Sequence, residues 1–168
     1  AVMAGDLVDV SWTGGLRTAM TVSKITSGAG VNALAIHGGA GDPLPPKGTF
    51  LVLTRRNPGV LAAWTDANTG QVGLNPGHGI ASGDIVNVSW AGGTQTTDEI
   101  DPDTDKPIVV SWPAGTRTAM TVGNVTNNVL VDTEYMDGLD LSGGSGDPLP
   151  PPGADMVVTR IPSSDIVL

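Results

Sequence analysis

Acidic residues crowd into one short stretch of this chain, "DEIDPDTDK". Within it, Asp101, Asp103 and Asp105 alternate with other residues, and carboxylates in such a row can surround Ca²⁺, which takes about six to eight oxygen ligands. The match to a calcium-binding EF-hand loop is partial, because a lysine and a tryptophan stand where that loop needs glycine and glutamate. The pattern favours a solvated acidic hairpin tip over a calcium site at these three aspartates.

Two histidines, His37 and His78, are the other candidates for chemistry. A serine hydrolase needs a serine, a histidine and an acid that meet in space. His37 ends a predicted strand in the first half of the chain, whereas Ser142 holds the matching position in the second half, so the halves share no histidine. His78 lies in "NPGHG", which is typical of a loop. These positions predict no catalytic site, and we expect a protein without enzymatic activity.

Glycine clusters, "GGAGD" and "GGSGD", raise the question of a phosphate-binding loop. They match neither G-x-x-x-x-G-K-[ST] nor G-x-G-x-x-G between a strand and a helix, and no basic residue follows closely. The clusters predict turns, and no cofactor is expected apart from the calcium alternative.

Four residues are candidates for contacts with a partner. Arg17 and Arg117 hold equivalent positions in two copies of a motif, and their forked guanidinium groups suit a bridge to a carboxylate of a neighbouring unit or subunit. Trp64 lies between the two copies, and Tyr135 lies among residues that only the second copy has. The other three tryptophans each follow a serine at the end of a predicted strand. Their placement favours packing in a core over stacking on a sugar ring.

Repetition organises the whole sequence. "SWTGGLRTAMTV" at 11–22 returns as "SWPAGTRTAMTV" at 111–122, and "GDPLPP" at 41–46 returns unchanged at 146–151. "GDLVDVSW" near the start returns as "GDIVNVSW", after which the second copy is interrupted by an acidic insertion at about 91–107. The repetition predicts a first unit at 1–57, a connector at 58–78 and a second unit at 79–168.

The local patterns are those of short strands. In both copies valine and tryptophan alternate with polar residues, a period of two that indicates half-buried strands, and glycine pairs follow as turns. The chain has 24 glycines and 13 prolines, and only 15% of its residues are charged, which disfavours long exposed helices. We predict an all-β protein of two tandem, duplicated small barrels of SH3-like character, or alternatively two-sheet sandwiches.

Charge and hydropathy narrow the class of partner. Eight basic and seventeen acidic residues give a net charge of −9, which does not suit binding to nucleic acid. No apolar run approaches the roughly 20 residues of a membrane-spanning helix, so no membrane partner is predicted. The first residue is Ala1 and no signal-peptide pattern follows, which is consistent with a trimmed N-terminus.

The order "AGDLVDVSWTGGLRTAMTV … GGAGDPLPPKGTFLVLT" resembles small β-domains among the structural proteins of tailed bacteriophages, including head-decoration or cement proteins. The resemblance covers most of both copies and rests on short glycine, tryptophan and proline signatures. It implies a virion protein on the capsid surface that binds the shell as an oligomer and stabilises it. The partners would be copies of this chain and a capsid or other assembly protein.

Two other functions stay open on the sequence. One is a subunit of an extracellular or cell-surface fibre, in which duplicated β-units stack head to tail. The other is a carbohydrate-binding module that uses Trp64 or Trp90, with calcium at the acidic insertion as a further option. Both, like the decoration protein, are binding or structural roles without catalysis.

Overall fold

The computed structural model describes residues 2–27, 32–131 and 133–161. Strands make up 69% of the chain, and no helix occurs in the described ranges, which confirms the predicted all-β class. The strands are β1 (Leu7–Trp12), β2 (Gly15–Ser27), β3 (Asn32–Gly41), β4 (Val52–Asp66), β5 (Thr69–Leu74), β6 (Ile85–Trp90), β7 (Gly93–Asp101), β8 (Lys106–Trp112), β9 (Gly115–Val131), β10 (Glu134–Gly146) and β11 (Asp155–Arg160). A membrane-spanning helix is not found in this part of the chain.

The chain divides into two compact units. Unit 1 comprises Ala1–Asn57 and Thr159–Leu168, and unit 2 comprises Pro58–Val158. The segment 58–78, which the sequence predicts as a connector, lies in unit 2, where it forms the second part of β4 and all of β5. Strands form here because apolar residues of this segment are fully buried in the core of unit 2.

Unit 1 is a sheet of four antiparallel segments in the order β4, β1, β2, β3. Only the first part of β4 belongs to it, with Val52 paired to Ser11 and Arg55 paired to Val8. The core consists of the fully buried Val8, Val10, Met20 and Val22, which alternate with polar residues on their strands. The period of two in the sequence therefore correctly predicts which side chains face inward.

Unit 2 closes on itself. Its pairings run β6, β9, β10, β5, β4 and β11, and β11 also pairs with β6, so the six strands form a ring within the described residues. The second part of β4 and β5 form a hairpin that supplies two neighbouring strands of this ring. The likeness of the two units to SH3 barrels stays a prediction.

The acidic insertion forms a separate ribbon. Strands β7 and β8 pair with each other in a two-stranded sheet of their own, joined by a turn at residues 102–105. The ribbon replaces the simple turn that joins Trp12 to Gly15 in the first copy, because Trp90 pairs with Gly115 in the same way. The insertion therefore leaves the flanking strand pair of unit 2 intact.

Candidate functional site

Both repeated arginines are bound by the glycine-rich strand of their own unit. Arg17 donates four hydrogen bonds of 2.8 to 3.3 Å to the carbonyl oxygens of Gly38, Gly39, Gly41 and Asp42. Arg117 donates the equivalent four, of 2.6 to 3.3 Å, to Gly143, Gly144, Gly146 and Asp147. The sequence predicts a bridge from these arginines to a neighbouring carboxylate. The structure gives the guanidinium groups main-chain partners instead.

The backbone conformation of the glycine clusters points their carbonyl oxygens at these arginines. Gly38, Gly39 and Gly41 all have positive φ, a conformation that glycine adopts without steric cost. A Cβ at Gly39 would also lie 2.5 Å from the carbonyl oxygen of Thr18. The clusters are therefore neither phosphate loops nor simple turns, but the irregular ends of β3 and β10, whose carbonyls converge on one side chain.

The same spacing in both copies of the repeated ribbon reflects a β-bulge, since the strand register shifts between Val8 and Val10 and likewise between Val86 and Val88. Ala19 and Ala119 have positive φ, 54° and 55°, which is uncommon for a residue with a Cβ. Each is held by a side chain of the paired strand, β1 or β6: the N–H of Ala19 donates to Asp9 Oδ1 at 2.9 Å, and that of Ala119 donates to Asn87 Oδ1 at 3.0 Å. The repeated "RTAM" is thus a structural device in both units.

Tryptophan packs over glycine at each strand end. Trp12 pairs with Gly15, Trp90 with Gly115, and a Cβ at Gly115 would lie 2.5 Å from the Trp90 ring. Trp112 packs on Gly93 in the same manner, and its indole N–H donates to the Ala91 carbonyl at 3.2 Å. These contacts pack each ring against a glycine of the paired strand, so that Trp90 is buried and Trp12 and Trp112 are half-buried.

The aspartates of the insertion form a turn. The carboxylate of Asp101 accepts from the N–H of Asp103 at 2.8 Å, and its carbonyl accepts from Thr104 and Asp105 at 3.3 and 2.9 Å. The hydrogen bond from the Asp103 N–H lowers the pKa of Asp101, although the group is exposed. Within the described residues, no three acidic or histidine side chains are grouped to hold a metal ion. The structure therefore does not bring Asp101, Asp103 and Asp105 together as a ligand set.

The histidines differ in their surroundings. His37 is exposed on β3, opposite Thr21. His78 is buried in unit 2: its Nδ1 accepts from the N–H of Ile80 at 3.0 Å, and its Nε2 lies 3.6 Å from Oδ2 of Asp137. The pairing with Asp137 is invisible in the sequence, since 59 positions separate the two residues. It fixes the loop before β6.

Trp64 and Tyr135 are both exposed on unit 2. Trp64 lies on β4 opposite Gly70, and Tyr135 lies near the start of β10 opposite Leu130, which is exposed as well. The two predicted contact residues therefore present large side chains to solvent, as an interaction role requires.

One shallow cavity of about 180 Å³ lies in unit 2 beside the insertion. Trp90 and Trp112 line it together with four prolines, and Asp147 and Ser111 supply its polar side chains. Its lining, mostly apolar with few polar groups, is that of ligand sites, but its volume is below the roughly 300 to 1,000 Å³ that such sites usually have.

The copies also differ in the burial of their apolar faces. In unit 2, Leu139, Leu141 and Leu149 are buried, and Leu149 is only 5% exposed. The equivalent residues of unit 1 are Leu34 and Ile36, which are half-buried, and Leu44, which is 49% exposed. Leu44 and Leu149 lie in identical "GDPLPP" segments. The difference in burial therefore comes from the surroundings and not from the local sequence.

The hairpin of β4 and β5 makes this difference. In unit 2 it pairs with β10, and its tip accepts hydrogen bonds from the N–H of Leu149 to the Ala67 carbonyl at 2.9 Å and from Gly143 to Asn68 at 3.0 Å. Strand β3, the equivalent of β10, is the last strand of its sheet in the described part of the chain. Unit 1 thus presents an open strand edge beside partly exposed apolar side chains.

No protein-family model, curated protein or solved structure matches this chain.

Proposed function

We propose that this chain is a non-enzymatic structural protein that binds an assembly, in the manner of a capsid decoration protein on the surface of a virion. The observation that carries the proposal is the open face of unit 1. An unpaired strand edge beside apolar side chains is a ready template for pairing with another chain, and stable proteins normally cover it. The same face is covered in unit 2 of the same molecule.

The use of the polar residues supports a structural role. Both repeated arginines, both bulge-capping side chains and the insertion aspartates form hydrogen bonds that hold their own loops. The repeat therefore duplicates a scaffold rather than a reactive group. In such a protein, function resides in surfaces that differ between the copies, namely the open face of unit 1 and the acidic ribbon of unit 2.

A decoration role is tested on particles that lack this protein. Particles are purified from a virus whose gene for this chain has been deleted, and they are then heated. They should release their genome at a lower temperature than complete particles, and adding back the purified chain should restore the original release temperature. Sedimentation with the particles shows binding directly. Complete and depleted particles of equal heat stability, with no sedimentation of the added chain, would refute the proposal.

The cavity beside the insertion favours carbohydrate binding as a second candidate. Aromatic rings with a few polar groups can hold a sugar ring. A titration with oligosaccharides should quench tryptophan fluorescence, and Trp112→Ala should abolish the quenching while Trp64→Ala leaves it. Unchanged fluorescence across a panel of sugars would remove this candidate.

A further inference from the structure

Unit 2 shows what kind of element completes the repeated fold. The hairpin at 58–74 adds two strands to β10, with Val72 opposite Leu139 and Gly70 opposite Leu141. Its inward residues Val72 and Leu74 are fully buried. A β-hairpin with apolar residues two positions apart is therefore the element that this face accepts.

Unit 1 has the acceptor without the hairpin. Leu34 and Ile36 occupy the positions of Leu139 and Leu141, and the outer edge of β3 has no partner strand among the described residues. The hairpin at 58–74 cannot serve here, because it is already part of unit 2. Lending it to a second copy would open one unit to close another.

Among the described residues, the β7–β8 ribbon is the one strand pair that lies outside the large sheet. It has exposed apolar side chains at Ile100, Ile108 and Val109. Ile108 and Val110 lie two positions apart on one face of β8, as Val72 and Leu74 do on β5. An isolated two-stranded hairpin is only marginally stable, so this ribbon gains by joining a larger sheet.

Charge favours the pairing of these two elements from different copies. Residues 1–57 carry five basic and three acidic side chains, whereas residues 58–158 carry two basic and thirteen acidic ones. The segment with the acceptor edge is therefore net positive, and the segment with the ribbon is strongly negative. Opposite charges steer the ribbon of one copy towards unit 1 of another, and they disfavour pairing of like units.

From these observations we infer that the partner of the open face is a second copy of this chain. The β7–β8 ribbon of one copy adds to the free edge of β3 in the next copy and covers Leu34, Ile36 and Leu44. Because donor and acceptor are different surfaces, the contact is head-to-tail and repeats into a ring or a filament. This inference rests on the proposed function, since it names a partner within the assembly.

The test uses two variants of the full chain, each lacking one half of the contact. The donor-less variant replaces residues 91–114 with Thr-Gly, the two residues that join Trp12 to Gly15 in the first copy. The acceptor-less variant is Leu44→Asp. Its matched control is Leu16→Asp. Leu16 is 47% exposed, much like Leu44, but the equivalent residue of unit 2, Thr116, is exposed, so this position lies outside the face that unit 2 covers. Circular dichroism checks that each variant folds.

Sedimentation velocity then measures mass against the monomer value of 17.0 kDa. The unaltered chain and Leu16→Asp should form oligomers that grow with concentration and weaken with added salt, because salt screens the attraction. Each of the other two variants alone should stay monomeric. An equimolar mixture of the two should give a dimer and nothing larger, since only one donor and one acceptor remain.

Three results would overturn the inference: a monomeric unaltered chain at every concentration, oligomers of either the donor-less or the acceptor-less variant alone, or no dimer in the mixture. These results leave the proposed function separately testable, because a monomer that still sediments with depleted particles retains the decoration role. Self-association of the unaltered chain without binding to particles would support the inference and contradict the decoration role.

Discussion

The identical "GDPLPP" segments offer a matched pair of substitutions, Leu149→Ala and Leu44→Ala. Leu149 is 5% exposed and packs near the β4–β5 hairpin, whereas Leu44 is 49% exposed. Truncating a buried leucine to alanine costs about 2 to 5 kcal/mol, which includes the cavity left behind. We take about 3 kcal/mol for Leu149. A half-exposed leucine has already kept much of its side chain in water, so Leu44→Ala should cost at most about 1 kcal/mol.

Thermal unfolding followed by circular dichroism measures this difference. For a unit of about 100 residues, each kcal/mol lowers the Tm by about 4 °C or more, so Leu149→Ala should lower the Tm of unit 2 by about 12 °C. Leu44 lies in the smaller unit 1, where 1 kcal/mol shifts the Tm by about 4 to 8 °C, so Leu44→Ala should lower the Tm of that unit by at most about 8 °C. The lowest protein concentration that the method allows removes the contribution of association. Equal shifts for the two variants, or a larger shift for Leu44→Ala, would refute the difference in burial between the two leucines.

The remaining predictions concern local contacts. Arg117→Met removes four hydrogen bonds from a charged donor, and we expect a loss of at least about 3 kcal/mol in urea unfolding; a loss under about 1 kcal/mol would contradict the structure. Gly115→Ala places a Cβ against the Trp90 ring and should lower the Tm clearly, whereas Gly123→Ala, whose Cβ has ordinary contacts at 3.6 Å, should not; equal effects would contradict the packing. The pKa of Asp101 is lowered, so its carboxylate stabilises the turn at neutral pH and this contribution is lost as the pH falls through the lowered pKa; an NMR titration should find the midpoint below the ordinary aspartate value, and a raised midpoint would contradict the turn. Calcium at millimolar concentration should leave the Tm unchanged, and a rise would restore the calcium site.

Strand patterns were the predictable part of the fold. The alternation of Val8 and Val10 with polar neighbours correctly predicts the buried face, because a strand turns successive side chains to opposite sides. The repeat likewise predicts that the two ribbons share a structure. The sequence does not predict that 58–74 is a hairpin of unit 2, because its glycines and Asn-Pro-Gly turns are equally typical of a linker.

The candidate site was predictable only in outline. The acidic insertion is recognisable as the main difference between the copies, and the structure places it in a separate ribbon. The role of Arg17 and Arg117 was missed, because a side chain that binds main-chain carbonyls leaves no complementary residue type in the sequence. Repeated glycines at the same distance from each arginine were the available signal.

The amino-acid sequence by itself determines the all-β class, the duplication and the alternating valine and methionine positions that both units bury, since these depend on local alternation along each strand. The tertiary structure alone decides which copy is complete. Two segments with the same six residues, "GDPLPP", differ in burial because burial depends on what lies across the sheet, and only unit 2 has a hairpin there. That difference is what makes unit 1 the surface on which a partner is to be sought.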